Sequence, residues 1–185
     1  MATAKKKSTP VVVPQNEQLT IFPEDDDRYR QSIFQSWPAA KRFKLFQSLV
    51  DNQATSLDPR TKVAALLLSK PGQLVSTGVN SPPKSTEESL PLPMRTGNNM
   101  VPQYVIHAEE DAVCALANKQ IRIKPVVAAV SRAPCVHCLA MLHRIGIQEI
   151  VWFGHQKDHS GQELARYLGI RWIRLELPKQ LLPKE

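Results

Sequence analysis

Two short segments carry residue types able to do chemistry: His107-Ala108-Glu109 and Pro134-Cys135-Val136-His137-Cys138. One imidazole and two thiolates make a soft-to-borderline donor set that suits Zn²⁺. Three protein ligands leave a tetrahedral ion one position for water, which is the catalytic arrangement; a structural zinc takes four. Two thiolates cancel the dication, and a neutral His107 adds no charge. Both segments stand where a helix is predicted to begin, so backbone N–H groups and a partial positive field favour thiolates at Cys135 and Cys138. Glu109, just past His107, lies roughly 200° round the helix at ~100° per residue. It therefore does not share the ion, but from the first turn it reaches a bound water, and its expected role is proton shuttle. His137, beside Cys138, points about 100° away and is read as surface or substrate-facing. Cys114 falls on the same helical face as His107 and is expected to be a small core residue.

The elements that must hold these segments can be read from pattern. Pro38 suits the first turn of a helix on which Phe43, Phe46, Leu49 and Val50 share a face. Runs at 63–69 and 74–80 are strand-like and joined by Lys70-Pro71-Gly72-Gln73, a hairpin. Residues 107–119 are alanine-rich and helical. The apolar run 125–131 is a strand buried on both faces. A helix over 135–145 stops at Gly146, a strand covers 149–154, a helix over 161–168 ends near Gly169, and a last strand covers 170–177. After the hairpin, strands alternate with helices, so right-handed crossovers lay them parallel with helices on both faces. The expected fold is α/β, a three-layer α/β/α sandwich over a five-stranded mixed sheet whose last strand is parallel.

Around this domain, expected over 28–177, composition marks two tails. Residues 1–27 combine Lys5-Lys6-Lys7, three prolines and Glu24-Asp25-Asp26-Asp27, a solvated segment with no period; 178–185 read as a short second tail. The chain has 185 residues and a formal charge of +7, three units of which belong to the lysine run, leaving a mild bias toward an anionic partner. Its longest unbroken apolar stretch, 63–68, is far short of the ~20 residues of a membrane helix. No apolar segment follows the charged N-terminus, so no secretory signal is expected. An odd set of three cysteines, two of them in a Cys-x-x-Cys, reads as metal or redox chemistry in a reducing compartment, with a cytoplasmic location expected.

His-x-Glu followed by Pro-Cys-x-x-Cys resembles the signature of the zinc-dependent cytidine and deoxycytidylate deaminase superfamily. The resemblance extends to Asp58-Pro59-Arg60-Thr61-Lys62-Val63-Ala64-Ala65 and to Gly78-Val79-Asn80, which look like deoxycytidylate (dCMP) deaminases, and covers roughly residues 37–177. A helix before the final strand also suits that branch. What the resemblance implies is hydrolytic deamination of a cytosine nucleotide, dCMP to dUMP and ammonia, with His107, Cys135 and Cys138 as metal ligands and Glu109 as the catalytic acid–base. It implies a substrate contact at Asn80 and, around the base and sugar, roles for Ala108, Asp111 and Tyr104. Arg60, Lys62, Lys84, Arg95 and Arg132 are phosphate-clamp candidates, with Lys84, Arg95 and Arg132 favoured. Residues 81–106 contain neither His nor Cys, so one Zn²⁺ per chain is expected. A homo-oligomer is implied by the resemblance alone.

Two departures bear on substrate. The family usually has Asn where this chain has Asp111, and often an aromatic where it has Val79. The alternatives are a deaminase acting on a base in RNA or single-stranded DNA, which the positive charge favours, and a catalytically inactive binding protein on the same fold.

Overall fold

The computed structural model describes residues 32–58, 61–81, 105–119, 123–154, 156 and 159–176; the expected tails at 1–27 and 178–185 lie outside them. Helix α1 (Ala39–Ala54) leads into a hairpin of β1 (Ala64–Leu68) and β2 (Leu74–Val79). Then follow α2 (Ala108–Asn118), β3 (Val127–Val130), α3 (Val136–Arg144), β4 (Glu149–Trp152), α4 (Ser160–Leu168) and β5 (Arg171–Arg174). The sheet runs β2-β1-β3-β4-β5, with β1 antiparallel to both β2 and β3, and β3, β4 and β5 mutually parallel. The expected mixed sheet with a parallel last strand is what forms.

Two apolar layers flank the sheet because successive strand residues alternate between its faces. Ala65, Leu67, Ala128, Val130, Ile150, Trp152 and Trp172 face α2, α3 and α4; Ala64, Leu66, Leu68, Val127, Ala129, Val151 and Ile173 face α1 and the turn before it. Every residue of β1, β3 and β4 is buried, as strands covered on both faces must be. Helices α3 and α4 end as expected, with Gly146 and Gly169 at positive φ, a conformation that costs glycine little.

Some local readings are corrected. Pro38 is the N-cap of α1 rather than a first-turn residue. Phe43 is 40% exposed; Leu45 packs in its place beside Phe46, Leu49 and Val50. Cys114 is exposed, not core. The buried face of α2 is set by Ala108, Glu109 and Ala112, and His107, as the cap, does not report that face.

The far end of the sheet is fastened by a long-range polar knot. Glu149 at the start of β4 is fully buried, and its carboxylate accepts from Ser32 Oγ (3.0 Å), the N–H groups of Ile33 and Phe34 (2.8 Å each) and Arg171 Nε (2.7 Å). Both oxygens are thus doubly used, and the turn preceding α1 is tied to β4 and β5. Removing one partner of such a group strands the others in a low-dielectric site. Glu149→Ala is expected to lower the unfolding free energy by about 3–5 kcal/mol, read as a shift of the urea midpoint; a change below ~1 kcal/mol would show the knot to be incidental.

Candidate metal centre and active site

Strands β2 and β3 both run antiparallel to β1, so both deliver the chain to the same end of the sheet. At that end two helices begin. A bridge between Ser81 and Ile106 (N···O 3.2 and 2.9 Å) brings the chain after β2 back beside it, one residue before His107. His107 is the N-cap of α2, and Cys135, after the turn leaving β3, is the N-cap of α3, its Sγ accepting weakly from Cys138 N–H at 3.5 Å.

Contacts too close for any side chain set the spacing of these elements. A Cβ on Gly78 of β2 would stand 2.2 Å from Ala112 N and 2.3 Å from Ala108 O, so α2 lies directly on β2. Ser76 Oγ donates to Ala112 O at 2.8 Å in the same contact. On the other side, a Cβ on Gly161 of α4 would stand 2.5 Å from Pro134 O, immediately before Cys135.

The result is that His107 Nδ1 lies 3.2 Å from Cys138 Sγ and 3.8 Å from Cys135 Sγ, all three donor atoms falling within 4.8 Å of one another. An imidazole nitrogen and a thiolate bound tetrahedrally to one zinc stand ~3.6 Å apart for bonds of about 2.0 and 2.3 Å. The donor set and its spacing therefore fit a zinc ion. No other His, Cys, Asp or Glu group with metal-holding geometry is found among the described residues.

The three donors are electrostatically coupled. A hydrogen bond from Cys138 holds the Cys135 thiolate down to about 3, while the same bond, with burial, pushes Cys138 far up; the pair shares one proton. His107 is raised, chiefly by its hydrogen bond with Cys135. Glu109 is 4% exposed, and burial lifts its carboxyl from 4.5 to about 7 despite the opposing effects of its backbone hydrogen bond and His107. A carboxyl poised near neutrality can both take and give a proton.

The other expected site residues are distributed unevenly. Ala108 is buried between His107 and Glu109. Arg132 is half-buried on the turn from β3 to α3. Lys62 does not stand ready for a phosphate, since its Nζ donates to Ala54 O at 2.9 Å, closing the end of α1. Asn80, expected to contact substrate, is only 5% exposed and its amide is fully engaged by protein. Oδ1 accepts from Val63 N–H (2.6 Å) and Ser56 Oγ (2.7 Å), and Nδ2 donates to Thr61 O (2.7 Å) and, more weakly, Asp58 Oδ2 (3.4 Å). An amide has four such positions, so Asn80 holds the segment before β1 against the end of β2. Asp111 Oδ2 accepts from Val79 N–H at 3.0 Å, pinning α2 to the same strand end. Arg60, Lys84, Arg95 and Tyr104 lie outside the described residues. His137, read as surface or substrate-facing, is exposed, and so are His143 and His159.

Two residues the motifs did not single out also serve the site: Gly161 and Glu110, whose Oε2 accepts the N–H of His107 at 2.9 Å. For Glu110 a signal existed, an acidic residue three positions after the cap, which is the spacing of a capping box.

Residues 40–154 match the model of the cytidine and deoxycytidylate deaminase zinc-binding region. The chain belongs to this family. Among curated relatives it is similar to deoxycytidylate deaminase of Mus musculus, 28% identical over 111 residues, which are 58% of this chain and 61% of the mouse protein. The enzyme of the same name from Homo sapiens is 27% identical over 116 residues, 61% of this chain and 64% of that one. The alignments thus span a little over three fifths of each relative's length. Among solved structures, the dCMP deaminase of cyanophage S-TIM5 in complex with dCMP and dUMP superposes with a TM-score of 0.63. It is 17% identical, and the match covers 75% of this chain and 99% of the phage chain. At that identity the likeness establishes the deaminase fold. No helix among the described residues is long and apolar enough to cross a membrane.

Because Cys138 must surrender its proton before a cation can use both sulfurs, metal affinity is tied to pH. Zinc affinity is expected to rise at least tenfold per unit between pH 6 and pH 7, measured by competition with a chromophoric chelator. A pH-independent affinity would mean that the cluster is already fully deprotonated or is not the site.

Proposed function

We propose that this deaminase hydrolyses the 4-amino group of a cytosine nucleotide, converting dCMP to dUMP and ammonia, with one Zn²⁺ held by His107, Cys135 and Cys138. The observation that carries the reading is a buried carboxyl, Glu109, held on the same helix start as one of the three clustered donors. When bound, zinc supplies a water acidified toward neutral pH. Glu109 takes a proton from the attacking water and delivers it to ring N3 of the base, making C4 electrophilic. Oxygen then bonds to C4, a proton passes through Glu109 to the amino group, and the C4–N bond breaks with release of ammonia. Water in and ammonia out balance the exchange of C4–NH₂ for C4=O. A buried carboxyl near pH 7 suits both directions of transfer.

The family membership and the dCMP deaminase relatives support a nucleotide substrate. Around the base and sugar the reading uses Ala108, Asp111 and Tyr104, and for the phosphate Arg132, Lys84 and Arg95. Asp111 keeps one carboxylate oxygen without a partner among the described residues, so it offers an acceptor to a hydroxyl or amino group and repels a phosphate. The reading therefore assigns the phosphate to the basic candidates Arg132, Lys84 and Arg95 rather than to Asp111. Self-association and a cytoplasmic location complete the reading, the first tested by sedimentation velocity. The formal charge of +7 favours a second reading, deamination of a base within a nucleic-acid strand.

Ammonia release from a panel of free cytosine nucleosides, nucleotides and oligonucleotides decides between them. Turnover of the monophosphate alone is expected; turnover of oligonucleotides alone would favour the second reading, and none at all would contradict both. Glu109→Gln is expected to keep one zinc per chain while kcat falls by at least ~10³, within the range lost with a general acid–base and its electrostatic role. An active Glu109→Gln enzyme would remove Glu109 from the chemistry.

A further inference from the structure

His107 is held by its backbone on both sides. Its carbonyl accepts the N–H of Asp111 at 2.9 Å, as the first turn of α2 requires. Its N–H, which no helical partner can satisfy at a cap, instead meets the Glu110 carboxylate at 2.9 Å. The preceding residue, Ile106, is bridged in both directions to Ser81. With N–H and C=O both fixed, the ring is aimed by its two side-chain torsions, and the N–H of Glu110 faces it in the other half of the capping box. Those torsions place Nδ1 3.2 Å from Cys138 Sγ.

We propose that Glu110 is a positioning residue for the metal centre: by accepting the backbone N–H of His107 it fixes the one nitrogen donor against the two sulfurs. The proposal rests on the reading that His107, Cys135 and Cys138 hold the ion. Glu110 is half-buried and follows Glu109 in sequence, yet the two carboxyls divide their tasks. Glu109 is sunk beside the sulfurs, while the Glu110 carboxylate turns back toward the start of the helix. A glutamine at 110 can accept the same hydrogen bond through its amide oxygen without the charge; alanine can do neither. Partners of this kind behind a ligand typically account for 10–100-fold in metal affinity.

The test is zinc affinity of the full chain, by chelator competition at fixed pH, for wild type, Glu110→Ala and Glu110→Gln. It is accompanied by urea unfolding of the metal-free proteins and by the absorption spectrum of the Co²⁺-loaded forms. Alanine is expected to weaken zinc at least tenfold and to alter the cobalt ligand-field bands, whereas glutamine stays within about threefold of wild type with an unchanged spectrum. If alanine lowers only the stability of the metal-free chain and leaves affinity intact, Glu110 is an ordinary helix cap and the proposal fails. If glutamine loses as much affinity as alanine, charge and not the hydrogen bond matters, and the proposal fails again. A wild-type chain that binds neither zinc nor cobalt would instead overturn the metal-centre reading, and this inference with it.

Discussion

Three donor atoms that repel or compete for one proton are held within 4.8 Å of one another, and the rest of the site follows from that constraint. The two sulfurs share one proton beside the imidazole, so that proton and a cation compete for the same atoms. A dication resolves the conflict by taking the place of the proton. The cost of assembling the cluster is met by the scaffold, in which both ligand-bearing helices start at one end of the sheet and direct their N-terminal backbone dipoles at it. Stability and chemistry are therefore linked here through the same few atoms.

Close packing sets the distances. Helix α2 rests on β2 at Gly78 and α4 rests on Pro134 at Gly161, with no room for a methyl group at either contact. Hydrogen bonds from Ser76 to Ala112 O and from Val79 N–H to Asp111 repeat the first contact in polar form. At the opposite end, Glu149 gathers Ser32, Ile33, Phe34 and Arg171 around one carboxylate. The sheet is thus clamped at both ends, and Glu109 lies buried on the first turn of α2.

Much of this was legible from residue types. The ligands and Glu109 sit within two short motifs, each at a strand-to-helix or loop-to-helix junction, so local spacing carries their geometry. The strands reveal themselves by continuous apolar runs, because burial on both faces leaves no polar alternation, and Gly146 and Gly169 mark helix ends by conformational necessity. What local pattern could not carry was partner choice across the chain. Asn80 stands at a strand end like a substrate contact, yet its amide is used by Ser56, Asp58, Thr61 and Val63. Glu149 looks like an ordinary strand-edge acid, yet three of its four partners are 115–117 positions away. Cys114 is exposed although it stands seven positions after His107, because a capping residue with a non-helical backbone does not set the phase of the helix it precedes.

The proposed chemistry requires that His107, Cys135 and Cys138 together form a single zinc site with one position left to solvent. X-ray absorption on the zinc-loaded protein measures that coordination directly. Two sulfurs at about 2.3 Å and a single imidazole, with the remaining light ligand exchangeable with solvent, are the result predicted for a catalytic zinc. A third sulfur or a second imidazole would close the position that the chemistry needs and would contradict it.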